Sequence, residues 1–148
     1  MNVQYHQQMN PQKTFKKIAV SPKEAAMQLL LSTSILKGHT PKVHSYDAIN
    51  SILIMDKINE MSVSDMYGEH MSDVPKEVVD QIRNIITVLY NNYIEYPDIT
   101  GYNFIETDGK VYIIDMEHAR YNYGIATYDP YILRFIKEDV TEWNEKFM

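Results

Sequence analysis

Apolar and polar positions follow two different rhythms along this chain, and each rhythm predicts an element. From Pro75 to Tyr93 the apolar residues Val78, Val79, Ile82, Ile85, Ile86, Leu89, Tyr90 and Tyr93 recur three and four residues apart. That is the period of a long helix with one buried face, and Asp73 stands ahead of it as a cap. The segment from Thr14 to Val20, TFKKIAV, alternates every second residue, as a strand does. Phe15, Lys17 and Ala19 then share one face, and Lys16, Ile18 and Val20 the other. SILIMD, from Ser51 to Asp56, is a continuous apolar run of strand length. Asn103 to Glu106 and Val111 to Asp115 are two further short runs, and the Asp108-Gly109 pair between them signals a hairpin.

The punctuation supplies the remaining elements. Ser21-Pro22-Lys23-Glu24 reads as a capping box with proline at the first helical position, opening a helix that stops near Gly38. His39 to Tyr46 reads as a loop with a short extended piece around Val43. Ser62 to Tyr67 predicts a short helix ending at Gly68. Ile94 to Tyr102 and residues 116 to 128 read as loops. Asp129-Pro130 opens a last helical region carrying Tyr131, Leu133, Phe135, Ile136, Val140, Trp143 and Phe147. Residues 1 to 13, rich in Gln and Asn, read as a flexible tail.

Composition narrows the class. A chain of 148 residues with 45% hydrophobic and 23% charged residues suits one globular domain. A net charge of -6 argues against a protein that coats nucleic acid, yet leaves room for a local basic pocket. With no cysteine there is neither a disulfide framework nor a thiolate site. No secretory signal and no membrane-spanning run is present, so the expectation is a soluble intracellular protein without a membrane partner. His39, His44 and His118 form no metal-ligand spacing.

The chemistry concentrates in Tyr96-Pro97-Asp98-Ile99-Thr100-Gly101-Tyr102-Asn103 and in Val111-Tyr112-Ile113-Ile114-Asp115-Met116-Glu117. An Asp is followed five residues later by an Asn, then by an apolar hairpin ending in a second Asp. Order, spacing and position after a long amphipathic helix resemble the catalytic loop and D-F-G segment of the protein-kinase-like superfamily. The resemblance implies an α+β fold, a truncated protein-kinase-like fold. It implies a reduced N-lobe sheet with one helix over 14–56, a hinge over 57–60 and a small, mostly helical C-lobe over 61–148. It also implies ATP and Mg2+ as cofactors. Asp98 would orient or accept the substrate hydroxyl proton, and Asn103 and Asp115 would be oxygen ligands to magnesium. Asp56, Lys57 and Ile58 would offer backbone groups to the adenine. Lys17 would hold the phosphates, with Lys16 as the alternative because strand register decides which points inward. Glu24 would be the lysine's helix partner.

Each of these residues also has a plainer reading. Turns favour Asp and Asn, a lysine on a short strand deters edge pairing, and the capping box accounts for Glu24. The sequence departs from the family where Tyr96 and Pro97 replace the usual His and Arg, and where Asp-Met-Glu replaces D-F-G. No G-x-G-x-x-G occurs. The resemblance covers about residues 14 to 125 and points to small serine/threonine kinase-like proteins of large DNA viruses. It implies transfer of the γ-phosphate of ATP to a protein hydroxyl. The alternatives are a pseudokinase or binding module acting through a protein partner, and a small-molecule phosphotransferase. The edge of a reduced sheet also offers surface for a homodimer.

Overall fold

The computed structural model describes residues 13–122, 129–144 and 146. The expected tail over residues 1 to 13, apart from Lys13, and the expected packing of Phe147 lie outside the described residues. The first elements among the described residues are β1 (Thr14–Lys17), α1 (Pro22–Leu30), β2 (Val43–Asp47) and β3 (Ile52–Asp56). β3 is central and pairs antiparallel with β1 on one side and β2 on the other. β1 ends at Lys17, short of the expected Val20, because Ala19 turns to a positive φ of 58°. Val20 then re-enters with its N–H bonded to Ser51 O at 2.9 Å and is fully buried. β2 was expected only as a short extended piece. It is a full edge strand with a bulge between Val43 and Ser45. Only Val43 and Tyr46 turn toward the core, so it carries little apolar signal.

Ser21 caps α1 by accepting the Glu24 N–H at 3.1 Å, and Pro22 takes the first helical position. The Glu24 carboxylate does not close the box; it reaches across to Lys17. After Leu30 the helix widens to a π turn, Leu31–Ile35, and the chain reverses at Gly38 with φ 87°. A connector from Lys57 leads to α2 (Val63–Tyr67), capped by Ser62 Oγ, which accepts the Asp65 N–H at 3.1 Å.

α3 (Lys76–Asn91) buries Val78, Val79, Ile82, Ile85, Ile86 and Leu89, the stripe that its period predicts. Its first residue follows Pro75, and Asp73 is not its cap: the Asp73 carboxylate accepts the His70 N–H at 3.3 Å in a preceding 3-10 turn. β4 (Ile94–Glu95) pairs with β7 (Arg120–Tyr121), two short strands within segments expected to be loops. β5 (Phe104–Thr107) and β6 (Lys110–Ile113) form the expected hairpin. Asp108 at φ 53° and Gly109 at φ 79° make its two-residue turn, the positive-φ pair that an Asp-Gly dipeptide favours.

The last helix, α4 (Pro130–Ile136), is shorter than expected. Glu138 at φ 61° ends it, and Val140 and Trp143 follow in irregular chain. Trp143 is buried all the same, in a core with Ile82, Ile86, Leu89, Tyr96 and Phe104. Arg83 ties α4 down, donating Nε–H to Phe135 O at 2.9 Å with its guanidinium 5.4 Å from the Phe135 ring centroid. Among the described residues no helix is long and apolar enough to cross a membrane.

Candidate active site

The loop after β4 is held from three sides. From within, Ile99 N–H donates to Pro97 O at 2.8 Å and Thr100 N–H to Asp98 O at 3.1 Å. Asn103 Nδ2 donates to Asp98 O at 2.8 Å, which leaves the amide oxygen as the end free to meet a cation. From below, Tyr96 and Ile99 are buried, and the Tyr96 ring meets Phe104 edge-on at 6.5 Å. Burial first, then the charges of Asp115 and Asp98, push the Tyr96 phenol well above its ordinary range. Tyr96 therefore stays neutral beneath the loop, and its hydroxyl has no partner among the described residues.

From the side, the loop is clamped by Asn144. Its backbone N–H donates to Ile99 O at 3.0 Å and its Nδ2 donates to Pro97 O at 2.8 Å, so the two bonds bracket Asp98. Asn144 is buried and had no sequence signal, being one polar residue in a polar C-terminal stretch. Gly101 was equally silent. A Cβ there would come within 2.2 Å of Ser64 Oγ, so α2 packs against the loop only because that position is glycine.

The hairpin delivers the second carboxylate. Ile114 N–H donates to Asn103 O at 3.1 Å, which stitches the end of β6 to the loop and sets Asp115 beside it. Asp115 Oδ1 accepts the Glu117 N–H at 3.0 Å and lies 3.5 Å from Lys17 Nζ. Lys17 Nζ is also 2.6 Å from Glu24 Oε2. One lysine on β1 therefore joins α1 to the residue that follows the hairpin, across 98 residues of sequence. Burial alone lowers the pKa of the Lys17 ammonium, but its bonds and charges with Glu24 and Asp115 outweigh that and leave it above its ordinary value. Lys16, one residue earlier, is exposed and makes neither contact.

These groups border a cleft of about 380 Å³. Phe15, Met55, Ile105 and Ile114 line it with apolar surface, and Lys17, Asp115, Asp56, Lys57 and Ile58 supply its polar groups. Asp98 is half-buried and is not part of that lining; its place is on the clamped loop, through Asn103. Among the described residues no group of three or more His, Cys, Asp or Glu is placed to hold a metal. The Asn103 amide oxygen and the Asp115 carboxylate could together supply two oxygen donors. Such a set suits a hard cation that keeps its other positions for water and phosphate.

The site is an apolar slot that ends in a lysine–carboxylate cluster, beside an Asp/Asn loop. The RIO domain model matches residues 2–148. The chain belongs to the RIO domain family. That family is kinase-like and ATP-utilising. No curated protein matches the chain. The solved structure of PK-1, the kinase of Cydia pomonella granulovirus, superposes with a TM-score of 0.58 at 16% identity. The match covers 82% of this chain and 48% of that one, so this RIO domain spans about half the length of the viral kinase. At that identity the likeness concerns the fold: a small, reduced, kinase-like α+β structure.

Proposed function

We propose that this RIO domain is an ATP-dependent phosphotransferase that moves the γ-phosphate of MgATP to a Ser or Thr hydroxyl of a protein. The observation that carries the reading is the meeting of Lys17 and Asp115 in one apolar cleft, with Glu24 paired to Lys17. In this reading residues 14–56 form the upper lobe, 57–60 the hinge and 61–148 the lower lobe. The apolar lining takes the adenine, and backbone groups of Asp56, Lys57 and Ile58 hydrogen-bond its edge. Lys17 holds phosphate oxygens, and Glu24 keeps Lys17 charged and aimed. Asn103 and Asp115 hold magnesium, which when bound neutralises phosphate charge. Asp98 takes the proton from the acceptor hydroxyl as the new oxygen–phosphorus bond forms and the bond to the β-phosphate oxygen breaks, releasing ADP.

The test is transfer of labelled γ-phosphate to protein by the parent and by Asp98→Asn. Loss of a positioned general base lowers the rate by roughly 10²- to 10⁴-fold while magnesium-dependent ATP binding persists. A variant as fast as the parent would contradict the assignment.

One observation favours a second reading. The sequence holds no glycine-rich phosphate-covering motif, so water is less well excluded from the phosphates. On that reading the fold serves as a partner-binding module, and sustained turnover on a protein substrate rejects it.

A further inference from the structure

A second, larger hollow of about 920 Å³ adjoins the cleft along Pro41 and the Asp56–Ile58 segment, which border both. Lys13, Lys37, Lys42 and Lys57 line it, from three separate stretches of chain. None of the four ammonium groups is paired with a carboxylate among the described residues. The one carboxylate in the lining, Asp56, has its Oδ1 2.6 Å from His44 Nε2. A fifth ammonium, that of Lys110, stands at the rim. It is 5.4 Å from the ring centroid of the lining residue Tyr112, and 3.0 Å from where a side chain on Gly38 would begin.

A chain with net charge -6 thus gathers five lysines that have no carboxylate partner among the described residues around one concavity. Protection of sheet edges accounts for Lys13 and Lys42, which flank the edge strands β1 and β2, but Lys57 follows the central strand β3 and Lys37 flanks no strand. Clustered like charges repel, and an anionic occupant relieves that repulsion. The charges are spread around a hollow more than twice the volume of the cleft, which is broader than one phosphate group needs.

We infer that this hollow is a docking site for an extended acidic peptide segment, distinct from the cleft. The charges around its wall set the ligand's sign, and the Tyr112 ring offers an apolar contact between them.

The experiment is fluorescence anisotropy of a labelled oligo-glutamate peptide against the full chain, with oligo-lysine and oligouridylate as comparison probes. The expected result is saturable binding of oligo-glutamate that weakens steeply as salt rises past about 0.1 M. The double variant Lys37→Glu/Lys42→Glu weakens it at least about tenfold, equal to about 1.4 kcal/mol. Lys137→Glu/Lys146→Glu, with the same change of net charge elsewhere, changes it much less. Unchanged MgATP binding by the first variant separates this site from the cleft, so each assignment can fail alone. Equal weakening by both double variants reduces the effect to net charge and overturns the site. Tighter, lysine-dependent binding of oligouridylate overturns the peptide assignment.

Discussion

The three-stranded sheet closes over four buried apolar residues, Val20, Ala25, Leu53 and Met55, with Val43 and Tyr46 at their edge. The loop carrying Asp98 and Asn103 instead backs onto a core that includes Ile82, Ile86, Leu89, Tyr96, Ile99, Phe104 and Trp143. The two halves of the candidate site are therefore secured differently. Below, packing and the Asn144 clamp fix the loop, so position is a by-product of folding. Above, there is little packing to position anything, and Lys17 is placed by charge. Changes below should register first as lost stability; changes above should register first as lost ligand binding.

The largest effect is expected from Phe104→Ala. The ring is fully buried beside Tyr96, and its removal should lower unfolding free energy by about 3–5 kcal/mol in chemical denaturation. A loss under about 1 kcal/mol would mean the lower core does not hold the loop.

Asn144→Ala comes next. Its backbone bond to Ile99 O survives, but Pro97 O loses the Nδ2 donor, at about 1–3 kcal/mol. If the clamp positions the loop, the phosphate-transfer rate falls while ATP affinity scarcely moves. A purely structural role would lower both together or neither.

Glu24→Gln is the smallest in stability, on the order of 1 kcal/mol, and it tests the charge-held half. Lys17 has a raised pKa in the fold, so the stability it contributes is complete below its ordinary pKa of about 10.4 and is lost as pH rises through the folded value. Without Glu24 the lowering by burial is opposed by Asp115 alone, so the loss should begin at lower pH than in the parent. Melting curves between about pH 8 and about pH 11 read the difference. Superimposed curves would show that Glu24 does not hold Lys17.

What the sequence disclosed follows the same division. α3 was legible because one apolar stripe repeats through its whole length, and the hairpin because Asp108-Gly109 permits only a tight turn. The alternation of TFKKIAV put Phe15 and Lys17 on one face, and both line the cleft. Edge strand β2 stayed hidden because its exposed residues carry no alternation. α4 ends where one residue, Glu138, takes a positive φ, a local event that apolar spacing does not encode. The Asn144 clamp depends on chain brought back from 47 residues away, and its Nδ2 bond is tertiary from end to end. Glu24 is the opposite case: a local motif accounts for its presence, while its carboxylate makes a tertiary contact, 2.6 Å from Lys17 Nζ.

The most direct test of the account is calorimetric titration of ATP, with and without magnesium, into the parent and Asp115→Asn. Asp115 is partly exposed and its 3.5 Å pair with Lys17 contributes at most about 1 kcal/mol, so the variant should remain folded. The account predicts magnesium-dependent binding in the parent that falls by more than about tenfold in Asp115→Asn, with little magnesium dependence left. Equal, magnesium-independent binding by both proteins, or none by the parent, would contradict a nucleotide site built on Lys17 and Asp115.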